Sequence, residues 1–126
     1  MHYVSLGIAA LVAVGIIGIG IQYILAPRAA VRSFGLPLPE DGANVDWWLR
    51  LKGIRDISSG LVVLAAMIWG GPKMVGLVLL VEAVIPLGDM LNVLAARGSA
   101  GKAFGMHGVT AVLMLLAGVT LELAHQ

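Results

Sequence analysis

Cysteine is absent from the 126 residues. That excludes disulfides, thiol nucleophiles and thiolate metal ligands, and leaves the redox compartment undetermined. Charge is scarce as well. Asp, Glu, Lys and Arg make up 12% of the chain, against about 25% in soluble domains. The formal net charge is +1, with no basic stripe to neutralise phosphates, so nucleic acid is not an expected partner. No Lys or Arg precedes the first apolar run and no small-residue cleavage site follows it. The run is therefore read as a first membrane span and not as a removed signal. Internal repeats, low-complexity tracts and a second domain are all missing.

What the chain does have is apolar length. Hydrophobic residues make up 60% and the mean hydropathy is +0.98. A soluble fold this small could not hide so much apolar surface, whereas a bilayer removes the need to hide it. Four runs approach the roughly 20 residues of a span, at about residues 4–25, 47–69, 74–94 and 104–123. They are continuous, not alternating, which argues against a membrane barrel. The expected fold is an all-α membrane protein, a single four-transmembrane-helix antiparallel bundle. Seven of the eight basic residues (Arg28, Arg32, Arg50, Lys52, Arg55, Arg97 and Lys102) belong to one side, and only Lys73 to the other. The positive-inside rule then makes the chain multi-pass in the cell membrane, with both termini extracytoplasmic.

The loop at about residues 26–46 is the one long connection. Pro27 to Phe34 suits a short interfacial helix with Arg28 and Arg32 toward headgroups. Gly35-Leu36-Pro37-Leu38-Pro39 must be extended, because two prolines forbid helix there. Glu40-Asp41-Gly42 reads as a turn. A loop of this length serves either as a lid or as a plain connector.

Ionisable groups inside a bilayer are costly and become functional candidates by default. Lys52, Arg55 and Asp56 fall in the cytoplasmic third of span two, Asp89 and Asn92 late in span three, and His107 early in span four. They share a layer roughly 5–12 Å below the cytoplasmic boundary at 1.5 Å per residue. Lys52 and Asp56 are spaced to pair on one face. Gly53, Asp56 and Gly60 share a face that admits close helix approach. Glu82, Pro86 and Asp89 share another, where Pro86 frees the Glu82 carbonyl and kinks the helix. Gly15, Gly18 and Gln22 line up on span one. Lys52, Arg50 and Arg97 read first as topology anchors, and Arg55 and Asp56 read equally as site residues or structural pairs. A metal set of His107, Asp89 and Glu82 has no diagnostic spacing, so neither metal nor cofactor is assigned.

The segments Phe34-Gly35-Leu36-Pro37, Lys52-Gly53-Ile54-Arg55-Asp56-Ile57-Ser58-Ser59-Gly60-Leu61 and Gly88-Asp89, followed across a basic loop by His107, resemble a domain-of-unknown-function family of small four-span bacterial and fungal membrane proteins. More distantly, the layout is similar to DoxX-like proteins. The family pattern maps to Gly53, Arg55, Asp56, Gly60, Asp89 and His107. It implies the four-span fold and these residues, but no reaction.

Three functions compete. The first is an enzyme for a lipophilic small molecule, with Asp89 or Asp56 as acid or base, His107 as partner, and Arg55 orienting water or stabilising negative charge. Asn92, Glu82 and Gln22 would contact substrate. An Arg between two carboxylates resembles the Asp–Arg–Asp arrangement of limonene-epoxide-type hydrolases, and epoxide opening, cyclisation and double-bond isomerisation all fit. The second is a proton-coupled transporter using Glu82, acting as a homodimer because four short helices enclose little volume. The third is a scaffold subunit docking through Gly101 and Gly105. Clustering at one depth favours the enzyme, since a transport path spreads its polar groups across the membrane.

Overall fold

In the computed structural model, residues 1–124 are described and are all-helical, with no strand among them. The helices are α1 (His2–Leu25), α2 (Pro27–Phe34), α3 (Val45–Ala65), α4 (Gly71–Glu82), α5 (Val84–Ala95), a short α6 (Ala100–Lys102) and α7 (Val109–Leu123). Wider π-helical turns at Ala66–Gly70 and Ala103–Gly108 extend α3 and lead into α7. Three helical stretches are long and apolar enough to cross a membrane: His2–Leu25, Val45–Ala95 and Ala100–Leu123.

The middle stretch is two spans. The chain reverses at Gly71, whose φ of 71° lies in the left-handed region where glycine is at ease. Pro72 follows in the first turn of α4, where its missing N–H costs nothing. Beyond the turn, Ser59 Oγ donates to Glu82 Oε2 over 2.7 Å. On a straight helix those residues would stand about 35 Å apart. The expected four-helix antiparallel bundle is therefore the observed one. Trp47 and Trp48 at one end of the second span and Trp69 at the other are exposed, about 33 Å apart along the helix, which matches aromatic belts flanking a bilayer core.

Two seams hold the bundle, and both are places where backbone meets backbone. A Cβ placed on Gly20 would lie 2.6 Å from the Gly53 carbonyl oxygen, and one on Gly60 would lie 2.6 Å from that of Ala13. The glycine face expected on the second span is therefore the face that meets α1. Its partners are Gly20 and Ala13, and not the Gly15–Gly18–Gln22 line, where Gly15 and Gly18 have open space beside them. The second seam joins α4 to α7, where a Cβ placed on either Gly76 or Gly118 would lie 3.0 Å from the other's carbonyl oxygen. With no water to drive helices together, such close approach is a main source of association in a bilayer.

The half of the bundle nearest the Gly71 turn is filled. Ala9, Val63, Val75, Leu79, Met114 and Leu121 form one buried cluster there. The other half is looser. The helix breaks at Ala83, between α4 and α5, because Pro86 has no N–H for the Glu82 carbonyl. Beyond that break α5 packs on Ala103–Gly108 and α7, while α3 stays on α1.

The long loop closes the mouth of this looser half. α2 is the short helix expected there, although Arg28, expected to face headgroups, is turned to acidic side chains of the chain itself. Ala30 and Val31 bury against Tyr23, and Arg28 pairs with Asp46 at 2.6 Å and Asp41 at 3.0 Å. Residues 35–42 are irregular, as the prolines require, but the turn falls at Ala43–Asn44, later than Glu40-Asp41-Gly42. The Gly42 carbonyl opens it by accepting from the Val45 N–H. Gly35 ends α2 with φ 108°, and its carbonyl accepts from the Ser99 N–H over 2.8 Å. Lys102 Nζ donates to the Arg32 carbonyl at 2.8 Å. The α5–α6 turn that presents Ser99 is closed by the Gly98 N–H on the Val93 carbonyl, with Arg97 at φ 54°, a Schellman-type ending.

Gly60→Val is expected to destabilise the protein by about 2 kcal/mol or more, because the added carbons push α1 away from α3. Gly18→Ala, which meets nothing within 4 Å, is expected to be neutral or slightly stabilising. Thermal unfolding of both variants in detergent, followed by size-exclusion recovery, measures the contrast.

Candidate functional site

Commitment of α3 to α1 and of α5 to α7 leaves a cavity of about 360 Å³ between them, within the range of small-molecule sites. Its wall on α1 runs from Leu11 to Tyr23, a length of about 18 Å. The end toward the Gly71 turn is apolar, with Leu11, Val12, Leu113 and Met114. The end under α2 carries Tyr23, Ser33, Phe34, Lys52, Asp89 and His107. Ser59 and Glu82 sit on the wall between the two ends. Several lining residues are also well exposed, Leu11 at 71% and Ile85 at 45%, so the cavity opens sideways between helices.

His107 is the most fixed of the polar groups. It lies in the π-helical stretch, buried on one face with Ala111 and Met114, and π-turns of this kind recur at functional positions. Its Nε2 is 2.9 Å from the Phe34 carbonyl. A carbonyl can only accept, so Nε2 carries the proton and donates it there. The rings of Phe34 and His107 meet at 4.5 Å between centroids. With Nε2 so occupied, Nδ1 is left toward Asp89, whose Oδ2 is 3.9 Å away. Histidine tautomers are commonly set by such a bond at the remote nitrogen. The result is a carboxyl and an imidazole side by side, contributed by two helices.

Lys52 is the cation of the cavity. Its Nζ pairs with Asp56 Oδ2 at 2.5 Å and lies 4.5 Å from the Tyr23 ring centroid and 5.1 Å from that of Phe34. Both contacts are within cation–π range. Asp56 itself is buried on the face turned to α1 and reaches the cavity through Lys52.

The residues expected from the sequence divide cleanly. Asp89, His107 and Glu82 line the cavity, and Asp56 stands behind Lys52. Arg55, Asn92 and Gln22 are exposed and lie outside it. Arg55 is about 60° round the helix from Lys52, on the side away from α1. Asn92 lies nearly a turn beyond Asp89, toward the α5–α6 loop. Gln22 is on the flank of α1 adjoining Tyr23. Lys52, read first as a topology anchor, is instead in the wall. Tyr23, Phe34 and Ser59 line the cavity without being among the expected site residues. The seven-residue spacing of Lys52 and Ser59 held a signal for one of them. For Phe34 the one signal is its place in the Phe34-Gly35-Leu36-Pro37 segment, since the docking of α2 is what brings it to the wall. Among the described residues no three His, Asp or Glu side chains gather to hold a metal ion, and Glu82 is bonded to Ser59.

Comparison with known proteins gives a family and nothing more specific. No curated protein and no solved structure matches the chain, and nothing in the comparisons supports the more distant DoxX-like likeness. A family model, described as a domain of unknown function (DUF4267), matches residues 13–121, from midway along α1 to near the end of α7, and takes in every residue lining the cavity except Leu11 and Val12. The chain belongs to that family.

Proposed function

We propose that the protein is an acid–base enzyme acting within the membrane on a neutral lipophilic molecule, which enters the cavity sideways from the leaflet beside α2. The observation that carries this reading is the Asp89–His107 pair on the cavity wall, with the remote imidazole nitrogen tied to the Phe34 carbonyl. A carboxyl beside an imidazole takes a proton from one substrate atom and returns it to another. In a double-bond isomerisation, the carboxylate removes a proton from carbon, the electron pair moves along the conjugated system, and the proton returns further along. Cyclisation uses the same pair to protonate one end of a double bond and deprotonate the product. Lys52 stands at the same end of the cavity, placed to stabilise negative charge on an oxygen.

Epoxide opening by an Asp–Arg–Asp set is the weaker match, since Arg55 lies outside the cavity. Transport through Glu82 is disfavoured by the packed cluster around Leu79 and Leu121, which closes the half of the bundle beyond the cavity. The cavity is built by one chain, so the reading needs no homodimer.

The test is solvent isotope incorporation. Purified protein is incubated in deuterated buffer with a lipid extract of the cells that produce it, and the lipids are analysed by mass spectrometry. Deuterium is expected at carbon positions of one lipid class, with at least a hundredfold loss in Asp89→Asn and a loss in His107→Phe while both variants stay folded. Equal incorporation by Asp89→Asn and wild type would remove the proposal.

We also infer from the seven-to-one distribution of basic residues that the protein is multi-pass in the cell membrane, with the α2 loop and the α5–α6 turn cytoplasmic and both termini outside. The cysteine-free sequence makes this directly measurable. Asp41→Cys and Ser99→Cys are expected to react with a membrane-impermeant maleimide only after permeabilisation, and Lys73→Cys, at an exposed position beyond the Gly71 turn, in intact cells. The reverse pattern overturns the orientation.

A further inference from the structure

We propose that Ser59 and Glu82 form a second polar subsite, so that the cavity holds an elongated neutral lipophile bearing two oxygen functions about 10 Å apart. This rests on the lipophile-binding reading above and adds the chemical class of the molecule.

The argument starts from spacing. On α3, Lys52 and Ser59 are seven residues apart, and across the α4–α5 break Glu82 and Asp89 are seven apart. Two turns of helix rise about 10 Å, so each wall carries a polar group at the same two levels. All four residues line the one cavity. Between the levels the wall includes Ile85 and Pro86, and the Thr110 hydroxyl there donates its proton back to the Met106 carbonyl; beyond Ser59 the wall is hydrocarbon again. The cavity is thus an apolar slot with two polar stations. One is Asp89–His107 with Lys52; the other is Ser59–Glu82.

The second station has unused capacity. The 2.7 Å bond consumes the serine proton and one carboxyl oxygen. The serine oxygen's lone pairs and the other carboxyl oxygen are left to accept from a ligand hydroxyl. A ligand that is pure hydrocarbon at this level would leave these groups without partners in apolar surroundings, and sites of that kind discriminate strongly. Charge narrows the class further. Lys52 is already matched by Asp56, and the remaining carboxyls, Asp89 and Glu82, disfavour an anionic end at either station. Fatty acids and phosphates fit poorly; hydroxyls, which bring their own proton, fit. Gly15, on the α1 wall of the same cavity, has open space where a side chain would be.

Native mass spectrometry of the protein in lipid nanodiscs tests the proposal. The probes are a long-chain primary alcohol and its diols with the second hydroxyl nearer than, at, or beyond about 10 Å from the first. Wild type is expected to bind the matched diol about tenfold more tightly than the mono-alcohol. In Ser59→Ala the ratio should fall to near one with mono-alcohol affinity kept, and Ser59→Thr should retain the preference. Equal binding of diol and mono-alcohol by wild type overturns the second subsite and leaves the acid–base reading to the isotope experiment. A preference that survives in Ser59→Ala overturns the assignment to these residues. If wild type binds neither probe, the lipophile cavity fails along with the subsite.

Discussion

Contact between the backbones of α1 and α3 governs the rest of the molecule. Gly20 against Gly53 and Ala13 against Gly60 leave no space for a single methyl group. In a bilayer the lipid tails are as apolar as the side chains, so helices gain little by hiding leucine and much by shape fit. Once α3 is drawn this tightly to α1, it cannot also cover α5. α5 is committed elsewhere, since α4 is pinned to α7 at Gly76 and Gly118 and the chain bends at Ala83. The gap between the two pairs is the cavity. It is a by-product of two good interfaces, and it persists because neither can relax toward the other.

The polar groups obey the same logic at smaller scale. Among the described residues no fully buried side-chain oxygen or nitrogen lacks a hydrogen-bond partner. Asp56 has Lys52, Glu82 has Ser59, His107 has the Phe34 carbonyl, and Thr110 bonds back to the Met106 carbonyl. A bilayer enforces such pairing, since a polar atom without a partner there has no water to turn to. Ser59–Glu82 joins the two helix pairs across the cavity, and the Phe34 carbonyl ties a loop to a span. These bonds therefore position the wall as well as satisfy it.

Much of this was legible in the sequence. The four spans follow from apolar length, the α2 helix from its prolines and arginines, and the break near Glu82 from Pro86. The faces of Gly53–Asp56–Gly60 and Glu82–Pro86–Asp89 follow from helical spacing. The common level of Lys52, Asp89 and His107 along the bundle was legible too, because level is only a residue count. Rotation was harder. Arg55 and Lys52 differ by less than a turn, and which of them meets the cavity depends on where α1 sits against α3. That in turn rests on Gly20, which spacing on α1 alone does not distinguish from Gly15 or Gly18. The placement of Phe34 was out of reach, because it depends on Gly35 and Ser99 meeting across the bundle, two loops far apart in the chain.

The blind end of the cavity has a kinetic consequence. Packing around Val63, Val75, Leu79 and Leu121 seals the slot beyond Leu11 and Leu113, while the side gap remains open. A molecule held there leaves by the way it came. For a lipophile bound as proposed above, arrival and departure would share one doorway onto a two-dimensional fluid, and occupancy would follow its mole fraction in the leaflet, not its concentration in water. For such a molecule, dilution of the surrounding lipid slows filling as surely as removal of the molecule itself.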